Sequence, residues 1–200
     1  MRRAAFSVIA ILFVGFALLG DAQTCQVPSE MRPAINNLKF SEGAPGDAPP
    51  GWYLGPEWFS QMAPAHEAKT VSGSACNGGQ QCATVYSIRE IPSTQISFLY
   101  QVVDAAQYRG SRLTYRADVR ADVAPGSVAR LLVRVHRVDC STSFRYDMGD
   151  HPITASAWTS YQLQAPIAPD ARDIEFGVQL IGKGAAWIDN ISMNFAAATK

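Results

Sequence analysis

Four aromatic rings fall within eight residues: Trp52, Tyr53, Trp58 and Phe59. Rings gathered on a loop or sheet edge can take the apolar face of a sugar, because its C–H groups meet a π face while its hydroxyls bond at the rim. The same rings can close the end of a hydrophobic core, since tryptophan is usually highly buried. A second set is polar. Gln101, Arg116, Arg134, His136 and Gln179 are assigned to the solvent faces of strand-like segments, where such a row can hydrogen-bond a ligand or simply be solvated. A third is local: Tyr146-Asp147-Met148-Gly149-Asp150-His151 holds two carboxylates and an imidazole. A general acid–base pair can be made from these, and so can an acidic turn between strands. Tyr146 and Asp147 join Trp52, Tyr53, Trp58 and the polar row as candidate ligand contacts. Glu42 and Asp189 lie in the first and last strand-like segments, which can pair in a sandwich, and carboxylate oxygens suit calcium.

Signatures of dedicated catalysis are missing. His66, His136 and His151 do not form an HExxH motif. There is no GxSxG elbow, and no glycine-rich phosphate loop follows a strand. A non-catalytic binding module for a carbohydrate or glycan is therefore the leading expectation. The alternatives are a polysaccharide-acting hydrolase or lyase centred on Asp147–His151, and a scaffold domain that holds a protein partner.

The elements that must position these residues read as strands. Residues 111–119 alternate, with Leu113, Tyr115, Ala117 and Val119 on one side and Thr114, Arg116 and Asp118 on the other. Residues 128–138 do the same, with Leu131, Val133 and Val135 facing in and Arg130, Arg134 and His136 facing out. Period two with one wet face is the pattern of a half-buried antiparallel strand. Residues 83–88, 96–103, 158–163, 174–180 and 185–193 complete the series. Turn chemistry separates them at Tyr108-Arg109-Gly110, Ala124-Pro125-Gly126-Ser127, Ala165-Pro166 and Gly182-Lys183-Gly184. The expected fold is all-β, an antiparallel sandwich or jelly roll. At most a turn or two of helix fits residues 29–37 or 56–69. The Pro- and Gly-rich residues 43–51 read as a loop crossing one end of the sandwich. Asn190-Ile191-Ser192 matches a glycosylation sequon, but its place in a strand argues against use.

Composition narrows the class. The 200 residues carry 17 Lys+Arg against 17 Asp+Glu, and 48% are hydrophobic. A disordered chain would have fewer apolar residues and more net charge, and a nucleic-acid binder would carry a basic excess. The only long apolar run is near the start. Arg2 and Arg3, the apolar residues 4–19 and small residues up to Ala22 make a secretory leader over residues 1–22. The expected location is secreted or periplasmic, with membrane contact only through that leader before cleavage. Residues 23–35 are an N-terminal segment, 36–195 one sandwich domain and 196–200 a tail. Four cysteines in an exported chain read as disulfides, and four allow three pairings. The short polar loop between Cys76 and Cys82 favours closing on itself, which leaves Cys25 to pair with Cys140.

Several short motifs then carry a resemblance. Asn37-Leu38-Lys39-Phe40-Ser41-Glu42-Gly43, followed by Pro50-Gly51-Trp52, resembles the opening of carbohydrate-binding-module-like, galactose-binding-like β-sandwiches. Trp187-Ile188-Asp189-Asn190-Ile191 resembles their closing strand. Between these lie Gln101-Val102-Val103-Asp104-Ala105 with Tyr108-Arg109-Gly110, Tyr146-Asp147-Met148 with Pro152-Ile153, and Trp158 with Tyr161. Those segments are similar to a bacterial subgroup of unassigned activity. The resemblance spans residues 36–194 and implies a structural calcium held by Glu42 and Asp189; no other cofactor is expected. Ser41 follows the aromatic directly and sets Glu42 one position late, a shift that turns a strand side chain to the opposite face. The cysteine pairs lie outside the pattern.

Overall fold

Leu113, Tyr115, Ala117 and Val119 in β5 (Ser111–Val123) are buried, and so are Ala129, Leu131, Val133 and Val135 in β6 (Val128–Arg137). The same alternation runs through β9 (Ala171–Ile181), where Ile174, Phe176, Val178 and Leu180 enter the core and Glu175, Gly177 and Gln179 turn away from it. These inward rows make one shared interior between two sheets. The computed structural model describes residues 33–55, 65–78 and 80–197. Residues 1–22, read from sequence as a leader, lie outside the described residues, as do Cys25, Trp58 and Phe59.

Among the described residues, seven more strands join the sandwich: β1 (Tyr53–Gly55), β2 (His66–Ser72), β3 (Gln81–Ser87), β4 (Ile96–Asp104), β7 (Thr142–Tyr146), β8 (Thr159–Pro166) and β10 (Gly184–Ala197). One sheet has the order β1-β4-β9-β6-β7 and the other β2-β3-β10-β5-β8. Every pairing is antiparallel. The chain leaves the middle of the first sheet at the end of β9 and enters the middle of the second as β10. Gly182 and Gly184 turn it there with φ of 83° and 139°, where a Cβ would meet Ser127 Oγ at 2.3 Å and the Asp122 carbonyl at 2.4 Å. Only glycine has both the freedom and the room. His66 Nε2 sits 3.1 Å from the Gly182 carbonyl and ties β2 to the same corner.

The helical readings fail where they can be compared. Residues 33–37 are irregular and 66–69 belong to β2, which pairs with β3 along its whole length. Cross-strand pairing supplied a signal that this mixed polar segment does not show by itself. The loop over residues 43–51 does pack on the sandwich: Gly46 N donates to the Thr70 carbonyl and Thr70 N to the Asp47 carbonyl, at 2.8 and 2.7 Å. The core is held at this end by Trp52, which lies 5.1 Å from Phe40 and 5.8 Å from Phe176, centroid to centroid. Tyr115 meets Phe176 on its far side at 5.4 Å.

Candidate functional site

The outer face of the first sheet is set by register. Phe98, Gln179 and Arg130 form one cross-strand row; Tyr100, Gly177 and Leu132 the next; Val102, Glu175, Arg134 and Arg145 the third; Asp104, Asp173 and His136 the fourth. Tyr53 on β1 extends the second row beside Tyr100. Rings therefore gather on the β1–β4 side and charged groups on the β6–β7 side. Tyr53 and Tyr100 are 5.9 Å apart, and Phe98 meets Tyr100 edge to face at 6.3 Å. All three rings are partly exposed. Gly177 holds the middle of the face, where a Cβ would stand 2.1 Å from the Leu99 carbonyl oxygen. Its bare backbone lets β4 and β9 approach and leaves this position flat.

Ion pairs fill the charged half. Arg134 Nη1 donates to Glu175 Oε1 at 3.0 Å, and its guanidinium lies 5.2 Å from the Phe98 centroid. Burial pushes the Glu175 carboxyl above the ordinary range, with Arg134 and His136 opposing. Asp173 is fully buried beneath His136 Nδ1 at 2.7 Å and Arg172 Nε at 2.6 Å. Burial alone would raise it, but the hydrogen bonds and charges of His136 and Arg172 outweigh that and hold it low. At the rim, Asp147 faces Arg145 Nη2 at 3.0 Å and Arg130 Nη1 at 4.0 Å.

The candidate contacts read from sequence are distributed unevenly. Tyr53, Arg134, His136 and Gln179 share this face, with Asp147 at its rim; Gln179, expected in solvent, is only 2% exposed because neighbouring side chains on the face cover it. Trp52 does not reach it. Its side chain is in the core and its indole N–H donates to the Asn37 carbonyl at 3.2 Å. Asn37 straps this segment by donating to the Pro50 carbonyl at 2.9 Å and accepting from Glu42 N at 3.1 Å. Gln101 faces inward, not to solvent. It is 1% exposed and donates to the Asn36 carbonyl at 2.7 Å, which satisfies a backbone group at the edge of the core. Arg116 lies on the opposite sheet and donates to Gln162 at 2.9 Å. The Tyr146 hydroxyl donates to Asp150 at 2.8 Å, and His151 Nδ1 is 3.0 Å from Asp150. The hydrogen bond from Tyr146 holds Asp150 low. His151 thus pairs with Asp150, the carboxylate–imidazole contact the segment offers, while Asp147 faces arginines. Phe98, Tyr100 and Glu175 were not singled out from sequence. Their phase relative to Leu99, Ile174 and Phe176 was the signal that could have found them.

The two residues expected to hold calcium sit in different surroundings. Glu42 is exposed, while Asp189 is buried and accepts from Asn77 N at 3.0 Å and Asn190 N at 2.7 Å. Burial raises the Asp189 carboxyl despite those bonds. Among the described residues, the group of potential metal ligands around Asp189 adds only Cys76 and Cys82, and these two are joined as a disulfide. Disulfide sulfurs are not the thiolates a metal needs. Cys140 is also disulfide-bonded; the expected pairing with Cys25 reaches outside the described residues.

No protein-family model matches the chain, and no curated protein matches its sequence. Solved structures do match. The enzymatically active domain of tailspike protein 4 from bacteriophage CBA120 aligns over 82% of this chain at TM-score 0.57 and 11% identity. This chain spans only 21% of that one. The CBM22-1 xylan-binding domain of Paenibacillus barcinonensis Xyn10C aligns over 84% of this chain and 99% of its own, at TM-score 0.55 and 12% identity. TmCBM61, solved with β-1,4-galactotriose, aligns over 82% and 98% at TM-score 0.51 and 12% identity. The fold is a carbohydrate-binding-module-like β-sandwich.

Proposed function

We propose that the protein is an exported, non-catalytic module that binds a carbohydrate on the outer face of its first sheet. Sugar rings would lie on Tyr53, Phe98 and Tyr100, and hydroxyls would bond to Gln179, Glu175 and Arg134. The observation that carries this reading is the register that sets partly exposed rings beside buried polar groups: Phe98 shares its row with Gln179, and the row of Tyr53 and Tyr100 lies between that one and the row of Glu175 and Arg134. Such a face offers apolar contact and directional bonding together, which is what a sugar requires. Likeness in fold to a xylan-binding domain and to a galactotriose-bound module supports it. The leader over residues 1–22 and the Cys76–Cys82 bridge support a secreted or periplasmic location.

A glycan array probed with the oxidised full chain, with and without calcium, tests the reading. Binding to at least one polysaccharide is expected, unchanged by chelation, and weakened about thirtyfold in Tyr100→Ala, as for the loss of a central aromatic anchor. Equal binding by Tyr100→Ala and the parent chain on every glycan would remove this face from consideration.

A further inference from the structure

We infer that the carbohydrate bound on this face carries an anionic substituent, a uronate carboxylate or a sulfate, received at the corner made by Arg130, Arg145 and Asp147. This rests on the sugar-binding reading above and adds the ligand's charge to it. The corner holds two guanidinium groups against one carboxylate. Arg145 Nη2 takes one oxygen of Asp147 at 3.0 Å, and Arg130 Nη1 stands 4.0 Å from the other. Arg130 is therefore only loosely paired, and its Nε is buried without a hydrogen-bond partner. Other acids nearby are committed elsewhere. Asp150 is held by Tyr146 and His151, Glu175 by Arg134, and Asp173 by His136 and Arg172.

The corner is also reachable. The side chains of Arg130, Asp147 and Arg145 are 26%, 25% and 55% exposed. Gly149 sits beside them without a side chain; a Cβ there would lie 3.3 Å from Asp147 Oδ1 and 3.5 Å from Arg130 Nη1. Arg130 shares a cross-strand row with Gln179 and Phe98 and lies two strands from that ring, about 10 Å away. A sugar seated on the rings can extend a charged group to this end of the row. Guanidinium is the side chain best suited to take a carboxylate or sulfate, through two parallel N–H donors.

Isothermal titration of the full oxidised chain with glucuronoxylan, its carboxyl-reduced form and sulfated xylan tests the inference. Tighter binding of the uronate polymer, the sulfated polymer or both, by about tenfold over the carboxyl-reduced form and diminishing with salt, is expected. Which anionic polymer gains identifies the substituent. Arg130→Gln and Arg145→Gln should each bring the preference toward unity, while Arg112→Gln on the other sheet should leave it intact. Equal affinity for the acidic and reduced polymers overturns the inference and leaves the sugar-binding reading standing. A preference that survives both arginine changes overturns the corner. Failure to bind any of the three polymers overturns the inference, and the sugar-binding reading then falls only if the glycan array is also blank.

Discussion

Rings and guanidinium groups meet on both outer faces of the sandwich, Arg134 over Phe98 on one and Arg120 over Trp187 on the other. What surrounds them differs. On the second sheet, Arg120 lies 3.9 Å from the Trp187 centroid and 5.6 Å from that of Trp158, so both indoles address the same cation. Beside it, Asp118 accepts from Asn77 at 2.7 Å, from Asn190 at 2.9 Å and from Ser160. Asn190 adopts a left-handed φ of 48° in the bulge of β10, which carries its amide to Asp118. Asp118 and its partners answer one another across strands, while Arg120 keeps to the indoles with its Nε buried and without a hydrogen-bond partner, as Arg130 Nε is on the first sheet. On the first sheet, the rings lie to one side and the ion pairs to the other, around a glycine. A face whose polar groups close on one another holds strands together; a face divided into ring and charge halves presents two chemistries to a ligand.

The largest effect that would break this contrast is expected at Gly177. With the Leu99 carbonyl 2.1 Å from where a Cβ would stand, Gly177→Ala should push β4 from β9 and cost about 3 kcal/mol, read by chemical denaturation. A near-neutral result would mean that the strands do not need this approach. Next in size is Trp187→Ala. Loss of the large ring should lower stability by about 2 kcal/mol while leaving glycan binding unchanged, the reverse of Tyr100→Ala. Weakened binding on loss of Trp187 would assign recognition to the second face instead.

The smallest effect concerns acid and base. Glu175 is raised by burial, so its contribution to stability is lost as pH rises above the ordinary 4.5 through its folded value. Asp118 is pushed up by burial, but hydrogen bonds from Ser160, Asn190 and Asn77 and the charge of Arg116 hold it low overall. Its contribution is present above the ordinary 3.8 and is lost as pH falls through the folded value. Melting temperature against pH should therefore lose its decline above pH 4.5 in Glu175→Gln and part of its acid-side loss in Asp118→Asn. Identical profiles for the two variants would erase the electrostatic distinction between the faces.

Much of this architecture is written in alternation. Leu131, Val133 and Val135 in β6 and Leu113 through Val119 in β5 state their faces outright. Gln101 shows how residue type can mislead when phase is set aside: it lies in the inward row between Leu99 and Val103, and burial follows the row. Phe98 and Tyr100 follow the same rule in the opposite sense. The short β1 and β7 offer too few residues for periodicity, and β2 is too polar to declare itself. Which strands share a sheet was beyond any local pattern, so Arg116 could not be separated from Arg134 and His136 before the pairing was known.

β9 lies between β4 and β6 for most of its length and is buried from Asp173 to Leu180. Its amides should exchange with deuterated water only when the sheet opens, because fully paired central strands are the last to let solvent in. The same strand carries Gln179 and Glu175, so a glycan seated on them should slow deuterium uptake there and raise resistance to proteolysis. Occupancy of the face thus has a readout in the backbone itself, with no label on the sugar.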